Sequence, residues 1–390
     1  MTAISECVMV MLECIPFDGL MQRHQHLARE ISKYMPVIYV ELTPSRIRRI
    51  FDGKPLDPAL NAHKKGLVEI GLNLQIFKAP PCVPRSTGFK RSIDGTARRT
   101  AQALKPLLPP GKKIITWLFS PNAASTFGLY DEIYSIFDYF DAFGEFPGEE
   151  KYRGEIRKAL YRCVKNVDLV LATNRELLDG VIGYNSNGFL IQNGCDAEHF
   201  IYGGNDPTSE SQVLDMALIQ RPIIGYMGDL APWFETDHII HMARKHPEWS
   251  FVLLGTWKNE NRPPDNIPNI YVPGRVPYIE LPWYARQFDV GTIPFKLNDL
   301  TRVVNPLKLY EYFALGLPVV STGLPEIARH EDLVYIASGP DEFLALTEVA
   351  VKEKSESPAR KKRVEVARQN SWKARGETIM EILEEQLADK

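Results

Sequence analysis

The residues whose types and spacing are best suited to binding or catalysis lie in one segment. It begins at Asn305 and reads NPLKLYEYFALGLPVVSTGLPE. The pattern predicts a helix with its N-cap at Asn305, Pro306 at the first helical position and Gly316 just beyond the last turn. Lys308 and Glu311 are three residues apart, so they share one helix face near the electropositive helix start.

A helix start of this kind binds phosphate readily, because its first backbone N–H groups have no partner within the helix. Lys308 adds a mobile positive charge, and the Glu311 carboxylate can accept two hydrogen bonds from a ribose diol. The two side chains therefore outline a site for a nucleoside diphosphate. The alternative, from spacing alone, is a weak ion pair on the protein surface.

Hydrophobic periodicity predicts the elements that position these residues. Short runs rich in Val, Ile and Tyr alternate with amphipathic stretches, which is typical of a parallel sheet covered by helices. The predicted strands are residues 8–12, 37–42, 75–78, 113–119, 134–138, 169–172 and 189–192, and then 223–227, 251–254, 270–272, 289–293, 318–321 and 334–336.

A polar stretch at residues 202–211 separates the two series of strands. We predict an α/β fold with two doubly wound domains, residues 1–205 and 206–370, followed by a C-terminal helix at 371–390 that packs back toward the first domain. Ligands of such sheets bind beyond the carboxyl ends of the strands, so two domains that face each other leave a cleft for them.

Composition excludes several classes of protein. The 390 residues are 44% hydrophobic and 24% charged, as in a globular chain and unlike a disordered one. No apolar run approaches the length of a membrane span, and the N-terminus lacks the features of a secretory signal, so we expect a cytoplasmic protein. The five cysteines include no C-x-x-C pair, and we expect reduced thiols that lie mostly in the core.

Charge is distributed unevenly along the chain. Residues 42–113 carry 15 Lys and Arg against four Asp and Glu, an excess of +11, so the rest of the chain carries −14. This excess fits a solvated face or attachment to an anionic membrane surface. An apolar stripe at helical spacing within residues 89–108 suits either a helix in the membrane plane or a helix packed on the core. Nucleic acid is not expected, because aromatic stacking residues and a recognition motif are missing.

The segment at Asn305 resembles the donor-site motif of GT-B glycosyltransferases of the group 1 type. Residues 224–230 (IGYMGDL) look like the strand and glycine turn that open the C-terminal domain of that family, and residues 269–276 (NIYVPGRV) look like the segment that faces the nucleotide base. The resemblance implies a nucleotide-sugar donor, with a UDP-sugar favoured. The donor-binding residues that it implies are Gly228, Asp229, Arg275, Asn305, Leu307, Lys308 and Glu311.

The first half of the chain resembles the same family. Residues 190–200 (LIQNGCDAEHF) are similar to the N-G-V-D-x-x-x-F signature, and residues 20–27 (LMQRHQHL) resemble the Q-R-P-Q-H-L start of polysaccharide-building members. The acceptor-side residues implied are Gln22, Arg23 and His26, with Asp18 in the loop after the first strand. His24 and His26 form an H-x-H pair, which we interpret as polar surface and not as a metal site.

The catalytic residue follows from a second resemblance. The family's E-x7-E pair is incomplete here, because Val303 stands at the position of the first glutamate. Residues 133–141 (IYSIFDYFD) look instead like the xanthan-type glucuronosyltransferases, an inverting group, and Asp138 falls at their catalytic aspartate. A base that takes the acceptor proton suits an inverting transfer. Asp138 could also be a cap or turn residue, and the other candidates for the base are Asp141 and Asp18.

These observations predict a glycosyltransferase of bacterial exopolysaccharide or cell-surface polysaccharide synthesis, acting on a glycan or a lipid-linked glycan. No D-x-D arrangement is placed to hold a metal, so no metal and no cofactor is expected, and Lys308, with Arg275 and Arg302 as further candidates, would stabilise the departing diphosphate. The protein could lie on the inner face of the plasma membrane through its basic residues. The alternatives are a nucleotide-sugar epimerase or hydrolase of the same fold and a non-catalytic nucleotide-sugar-binding partner. A nicotinamide dehydrogenase is disfavoured because no G-x-G-x-x-G follows either opening strand.

Overall fold

The structure is a computed structural model that describes residues 4–19, 21–43, 66–83, 89–146, 149–208, 212–258, 262–263, 266–354 and 356–388. The chain divides into two compact units. Unit 1 comprises Met1–Gln192 and Arg375–Lys390, and unit 2 comprises Asn193–Ala374. Basic residues of the 42–113 stretch that lie outside the described residues are Arg46, Arg48, Arg49, Lys54, Lys64, Lys65 and Arg85.

Unit 1 is built on one sheet of eight strands with the order β3-β4-β2-β1-β5-β6-β7-β8. The strands are β1 (Cys7–Cys14), β2 (Val37–Thr43), β3 (Val68–Gly71), β4 (Leu74–Pro81), β5 (Lys113–Leu118), β6 (Tyr134–Tyr139), β7 (Leu169–Ala172) and β8 (Gly188–Leu190). All neighbours are parallel except β3 and β4. The chain runs outward from β1 on one side and returns to β5 on the other. The topological switch point of this sheet is therefore the crevice between β1 and β5.

Helices cover both faces of this sheet. They are α1 (Arg23–Ile31), α2 (Phe89–Leu104), α3 (Arg153–Asn166) and α4 (Arg175–Ile182), with a short 3-10 helix at Pro121–Thr126. Asn174 caps α4 as expected, because its side chain accepts the N–H of Leu177 at 2.8 Å. In α2, Ala97, Ala101 and Leu104 are buried, and the last two pack in a core cluster with β1. The apolar stripe of α2 thus faces the core, and the alternative of a helix in the membrane plane is wrong.

Unit 2 has a sheet of six parallel strands with the order β11-β10-β9-β12-β13-β14. The strands are β9 (Ile223–Met227), β10 (Ser250–Leu254), β11 (Ile270–Gly274), β12 (Val290–Ile293), β13 (Val319–Thr322) and β14 (Val334–Ala337). The chain moves outward from β9 to β11 and then returns to β12 on the other side. The switch point of this sheet therefore lies between β9 and β12.

The helices of unit 2 pack around one large core. They are α5 (Ala197–Tyr202), α6 (Thr236–Lys245), α7 (Leu281–Ala285), α8 (Asp299–Arg302), α9 (Leu307–Ala314), α10 (Pro325–Ala328), α11 (Pro340–Val351) and α12 (Pro358–Gln369). The last helix, α13 (Trp372–Ala388), begins in unit 2 and continues into unit 1. The prediction of two doubly wound α/β domains is confirmed.

The division between the units falls at Gln192, earlier than the predicted boundary at residue 205. The reason is that α5 belongs to the second core: Phe200 is fully buried in it, and the N–H of Asn205 donates to the carbonyl of Ile279 at 2.9 Å. The described part of this polar stretch, residues 202–208, therefore belongs to unit 2 and is not a linker between the units.

The cysteines and the helices bear on two expectations from the sequence, namely reduced thiols and the absence of a membrane span. All five cysteines are thiols, and four of them are buried. Within the described ranges, no helix combines the length and the apolar character that crossing a bilayer would require.

Candidate functional site

Helix α9 begins one residue later than the sequence predicts. Pro306 is its N-cap, and no side chain hydrogen bond closes the first turn. Asn305 is not the cap, because its side-chain amide donates to Glu326 Oε2 at 3.2 Å while its backbone carbonyl accepts from Asn193 at 2.8 Å. A residue before proline also tends to avoid helical backbone angles, which disfavours a helix start at Asn305. The first N–H groups of α9 are thus left without a side-chain cap in the described structure.

The far end of α9 is closed tightly. Gly316 has a φ of +69°, and its N–H donates to the carbonyl of Phe313 at 2.8 Å, while the N–H of Leu317 donates to that of Tyr312 at 3.0 Å. This pair of hydrogen bonds is a Schellman motif, which satisfies the last carbonyls of the helix. The predicted stop at Gly316 is confirmed, and α9 is a rigid support for the residues at its start.

Lys308 extends from the first turn of α9 over two aromatic rings. Its Nζ lies 4.7 Å from the centroid of the Phe295 ring and 5.3 Å from that of Tyr226. Burial lowers the pKa of Lys308, and the nearby Glu311 and Asp229 carboxylates oppose that shift. The two carboxylates do not fully neutralise the Lys308 ammonium. Held over aromatic faces, this ammonium is a strong electrostatic binding point for an anion.

Glu311 lies one turn deeper and is half-buried. Burial raises its pKa above the ordinary value of a glutamate, and the Lys308 ammonium partly offsets this. Asp196 raises the pKa further. The interpretation of Lys308 and Glu311 as a solvated surface pair does not fit these surroundings.

Three glycines lie at the carboxyl ends of the three neighbouring strands β9, β10 and β11. Gly228, Gly255 and Gly274 have φ values of +130°, +156° and +100°, which L-residues with a side chain rarely adopt. A Cβ on Gly255 would lie 1.8 Å from the carbonyl oxygen of Gly228, and a Cβ on Gly228 would lie 3.2 Å from Cε of Lys308. At these three positions the carboxyl edge of the sheet therefore has no side chains, and we call it the bare glycine edge. Lys308 lies next to it at Gly228.

This bare edge coincides with the switch point of unit 2. Tyr226 belongs to β9 and Phe295 follows β12, so Lys308 lies over the crevice between those two strands. Open α/β sheets bind their ligands in this crevice. Gly228 is among the residues predicted from the sequence, whereas Gly255 and Gly274 are not: Gly255 directly follows a predicted strand, and Gly274 lies within the NIYVPGRV segment without being singled out.

The other predicted donor-side residues lie around the same edge with different roles. Asp229 accepts a hydrogen bond from Lys258 at 2.6 Å, and its backbone carbonyl accepts from the Tyr226 hydroxyl at 2.9 Å. Leu307 is the first residue of α9 and is half-buried. Arg275 follows Gly274 and is exposed, and Arg302 is an exposed residue at the end of α8.

The N-G-C-D segment contributes two residues that the sequence analysis did not assign to the donor site. The side-chain amide of Asn193 donates to the carbonyl of Asn305, directly before α9. Asp196 caps α5, where its Oδ1 accepts the N–H of His199 at 3.3 Å, and its charge acts on Glu311. The segment thus fixes the residue before α9 through Asn193 and acts on the charge of Glu311 through Asp196.

In unit 1, Asp138 lies on β6 and has no exposed surface. Its Oδ1 accepts a hydrogen bond from Nε of Arg23 at 2.9 Å, and both side chains are buried. Burial raises the pKa of Asp138, and Arg23 counteracts that shift. Enclosure of the carboxylate with its counter-ion does not favour Asp138 as the base, and that role stays a prediction. Arg23 likewise serves to hold α1 against β6.

The remaining residues that were predicted on the acceptor side lie on the loop between β1 and α1 and at the start of α1. Asp18 is exposed on that loop, which is fixed where the N–H of Phe17 donates to Glu41 Oε1 at 2.7 Å. At the start of α1, the N–H of Gln22 donates to Oε1 of Gln25 at 3.0 Å, so Gln22 takes part in the helix cap.

The H-x-H pair on α1 is buried, so the expectation of polar surface is wrong for both residues. The ring centroid of His24 lies 4.5 Å from that of Phe119 and 4.9 Å from that of Phe140, and burial lowers its pKa to about 3. His26 is 5% exposed. A neutral imidazole inside an aromatic cluster explains why a polar-looking helix start packs against the sheet.

Comparison with known proteins finds a family match within the second unit. Residues 221–350 match the model of the family described as glycosyl transferases group 1. These residues form a group 1 glycosyltransferase domain. The matched range contains the three glycines, Lys308 and Glu311, so the predicted donor-binding residues lie within it.

A curated relative extends the similarity beyond the group 1 domain. The chain is 23% identical over 357 residues to TuaH of Bacillus subtilis (strain 168), which is named as a teichuronic acid biosynthesis glycosyltransferase. The alignment covers 83% of this chain and 86% of TuaH.

Solved structures with the same fold cover nearly the whole chain. HepE of Anabaena in complex with UDP matches with a TM-score of 0.62 at 12% identity, over 97% of this chain and 100% of HepE. The UDP-forming trehalose-phosphate synthase of Burkholderia xenovorans matches with a TM-score of 0.67 at 13% identity, over 97% of this chain and 99% of the synthase. The fold that contains the group 1 domain is therefore GT-B, as the resemblance implied.

The basic excess of unit 1 is partly neutralised within the protein. Ion pairs engage several of its lysines, namely Lys78 with Glu41, Lys90 with Asp94, Lys105 with Asp131 and Lys113 with Glu6. Arg91, Arg98 and Arg99 of α2 are exposed, and the described part of the chain gives them no ion pair. These three guanidinium groups are the exposed positive charge that remains on this helix.

Proposed function

We propose that the protein is a glycosyltransferase that moves a sugar from a UDP-sugar onto a glycan or lipid-linked glycan in the synthesis of a cell-surface polysaccharide. The observation that carries this proposal is the meeting of Lys308, the uncapped start of α9 and the bare glycine edge at the switch point of the group 1 domain. Backbone N–H groups, a helix start and a partly desolvated ammonium are what a diphosphate requires.

In the proposed site the diphosphate lies on the glycine edge between the start of α9 and Lys308. As the bond between the sugar and the diphosphate breaks, negative charge grows on the departing nucleotide, and Lys308 stabilises that charge. Glu311, one turn deeper, accepts hydrogen bonds from the ribose hydroxyls. Because the chain supplies this positive charge itself, we propose that transfer requires no metal ion.

UDP is the proposed nucleotide because it is the one bound by related folds. HepE of Anabaena has been solved with UDP and with UDP-glucose. The polysaccharide role is proposed from the similarity to TuaH, whose name places it in teichuronic acid biosynthesis. Inversion is proposed because Val303, at the position of the first glutamate of the E-x7-E pair, is a buried apolar residue that cannot act on the sugar.

The test is a transfer assay with the full chain and a panel of UDP-glucose, UDP-galactose, UDP-N-acetylglucosamine and UDP-glucuronic acid. Lipid-linked glycans extracted from bacterial membranes serve as acceptors, and UDP release and labelled product are measured with and without EDTA. We expect transfer from one donor, insensitivity to EDTA, and a product whose anomeric proton coupling shows inversion. UDP release at the same rate without acceptor would indicate a hydrolase instead, and no release from any donor would contradict the proposal.

We also propose that the exposed arginines of α2 hold the enzyme at an anionic membrane surface, where lipid-linked acceptors lie. At about 1 kcal/mol for each basic residue near the surface, three arginines contribute roughly 3 kcal/mol, or about 100-fold in partitioning. Sedimentation with vesicles of phosphatidylglycerol and phosphatidylcholine tests this. The triple Gln variant of Arg91, Arg98 and Arg99 should stay in solution, whereas a matched triple Gln variant of exposed α12 residues should sediment like the wild type. The control residues are Arg360, Lys361 and Lys362.

A further inference from the structure

Strand β1 ends in a conformation that is unfavourable for its residue. Glu13 has a φ of +60°, in the left-handed region that glycine adopts without strain and glutamate does not. The pairing register shows the cause: Met11 pairs with Tyr39 and Cys14 with Glu41, so β1 carries one extra residue over that step. This register shift is a β-bulge, which redirects a side chain of the bulged strand.

The bulge lies at the switch point of unit 1. β1 pairs with β5 up to Leu12 and Leu118, and the N–H of Phe119 then donates to the carbonyl of Leu12 at 3.2 Å. Glu13 is the next residue, at the carboxyl end of the crevice between β1 and β5. A ligand of this sheet is expected in that crevice.

The surroundings of Glu13 suit a carboxyl group that exchanges a proton near neutral pH. The side chain is half-buried, and burial raises its pKa to about 7, while the Ser120 hydroxyl beside it lowers it in part. Efficient general bases have pKa values near the working pH. Stability alone would favour glycine for the backbone and a neutral side chain for the burial, so neither feature is explained by folding.

The other carboxylates at this edge of unit 1 fit a base less well. Asp138 is enclosed with Arg23. Asp141 follows β6, away from the switch point, and its Oδ1 accepts the N–H of Ala142 at 3.0 Å within its own turn. Burial raises the pKa of Asp141 to about 7 as well, so it is the rival that the experiment must separate from Glu13.

We infer that Glu13, held by the bulge at the end of β1, is the general base that takes the proton from the acceptor hydroxyl. This inference rests on the proposed function. In the step, the O–H proton passes to the Glu13 carboxylate, the acceptor oxygen forms the new bond to the anomeric carbon, and the bond from that carbon to the diphosphate oxygen breaks. The departing UDP takes the electron pair.

Three variants test the inference in the transfer assay with the donor that the wild type uses. Glu13→Gln keeps the shape and loses the base, Glu13→Gly also removes the strain, and Glu69→Gln changes an exposed glutamate of β3 as a matched control. We expect a loss in kcat/KM of about 100-fold or more for both Glu13 variants and none for the control. The wild-type rate should rise with pH through about 7, and the Glu13→Gln rate should be flat in that range.

Stability and donor binding separate catalysis from folding. The melting temperatures of Glu13→Gly and Glu13→Gln should equal or exceed that of the wild type, and the melting-temperature shift caused by UDP should be unchanged. Full transfer in Glu13→Gln, or a loss of the pH dependence in Asp141→Asn but not in Glu13→Gln, would overturn the inference while leaving the transferase proposal intact. A wild type that releases no UDP from any donor would overturn both.

Discussion

The buried ion pair between Arg23 and Asp138 allows a quantitative prediction about unit 1. Nε of Arg23 and Oδ1 of Asp138 are 2.9 Å apart, with exposed side-chain fractions of 3% and 0%. Removing one partner leaves the other charge in a site without water, which typically destabilises a protein by about 3–5 kcal/mol. Arg23→Met and Asp138→Asn should each lower the free energy of unfolding by about that amount, and Arg23→Met/Asp138→Leu should lower it by less than either single change.

The assay is urea unfolding at pH 7, followed by circular dichroism, for the wild type, both single variants and the double variant. Helix α1 offers a matched control, because Lys33 pairs with Glu30 at 2.6 Å while 58% of the Lys33 side chain is exposed. Lys33→Met should change the free energy of unfolding by less than about 0.5 kcal/mol. A loss of less than about 1 kcal/mol in the single variants at the buried pair, or simple addition of their effects in the double variant, would contradict this prediction.

Further predictions concern the glycine edge and the two half-buried glutamates. Gly255→Ala should destabilise the protein by more than about 3 kcal/mol in urea unfolding, because its Cβ would lie 1.8 Å from the Gly228 oxygen. The Cβ of Gly274→Ala would meet nothing within 4 Å, so backbone strain alone should destabilise that variant, by about 1–2 kcal/mol in the same assay. The pKa of Glu13 is about 7 in the folded protein and lower in the unfolded chain. The free energy of unfolding of the wild type should therefore fall relative to that of Glu13→Gln as pH rises from 4.5 to 8, by at most about 3 kcal/mol. Parallel curves of stability against pH would contradict this. Glu311→Gln should weaken UDP binding about 10- to 100-fold in calorimetry without lowering the melting temperature, since it removes a desolvated carboxylate; unchanged affinity would exclude the ribose contact.

The sheets could be predicted from the sequence because buried parallel strands are short and uniformly apolar. Thirteen of the fourteen strands in the described residues correspond to predicted runs. The missing strand is β3, whose four residues are all exposed, so it leaves no hydrophobic pattern to detect. It pairs antiparallel at the edge of the sheet through a tight turn at Asn73, where φ is +56°.

The donor side could be predicted in outline but not in its connections. Lys308 and Glu311 were found because helical spacing fixes which residues share a face. The predicted cap at Asn305 is wrong because its side-chain amide donates to Glu326, a contact between residues that are 21 positions apart. Gly255 was missed because its role depends on the approach of Gly228 from a neighbouring strand.

The catalytic side was harder because burial decides it. Asp138 and Arg23 both look like active-site residues in the sequence, yet they neutralise each other 115 positions apart. The register shift of β1 against β2 and the strained backbone at Glu13 are tertiary features that no local sequence pattern signals. A carboxylate's access to substrate is a tertiary property that local sequence does not encode.

The central claim is that Lys308 and the start of α9 bind the diphosphate of the donor. Isothermal titration of UDP into the wild type, Lys308→Met and the control Lys362→Met, an exposed lysine of α12 that pairs with Asp332, tests it most directly. We expect Lys308→Met to bind UDP at least about 30-fold more weakly, a loss of about 2 kcal/mol, while Lys362→Met binds like the wild type. The melting temperature of ligand-free Lys308→Met should not fall, because the substitution removes a desolvated ammonium. Equal UDP affinity in Lys308→Met and the wild type would contradict the account.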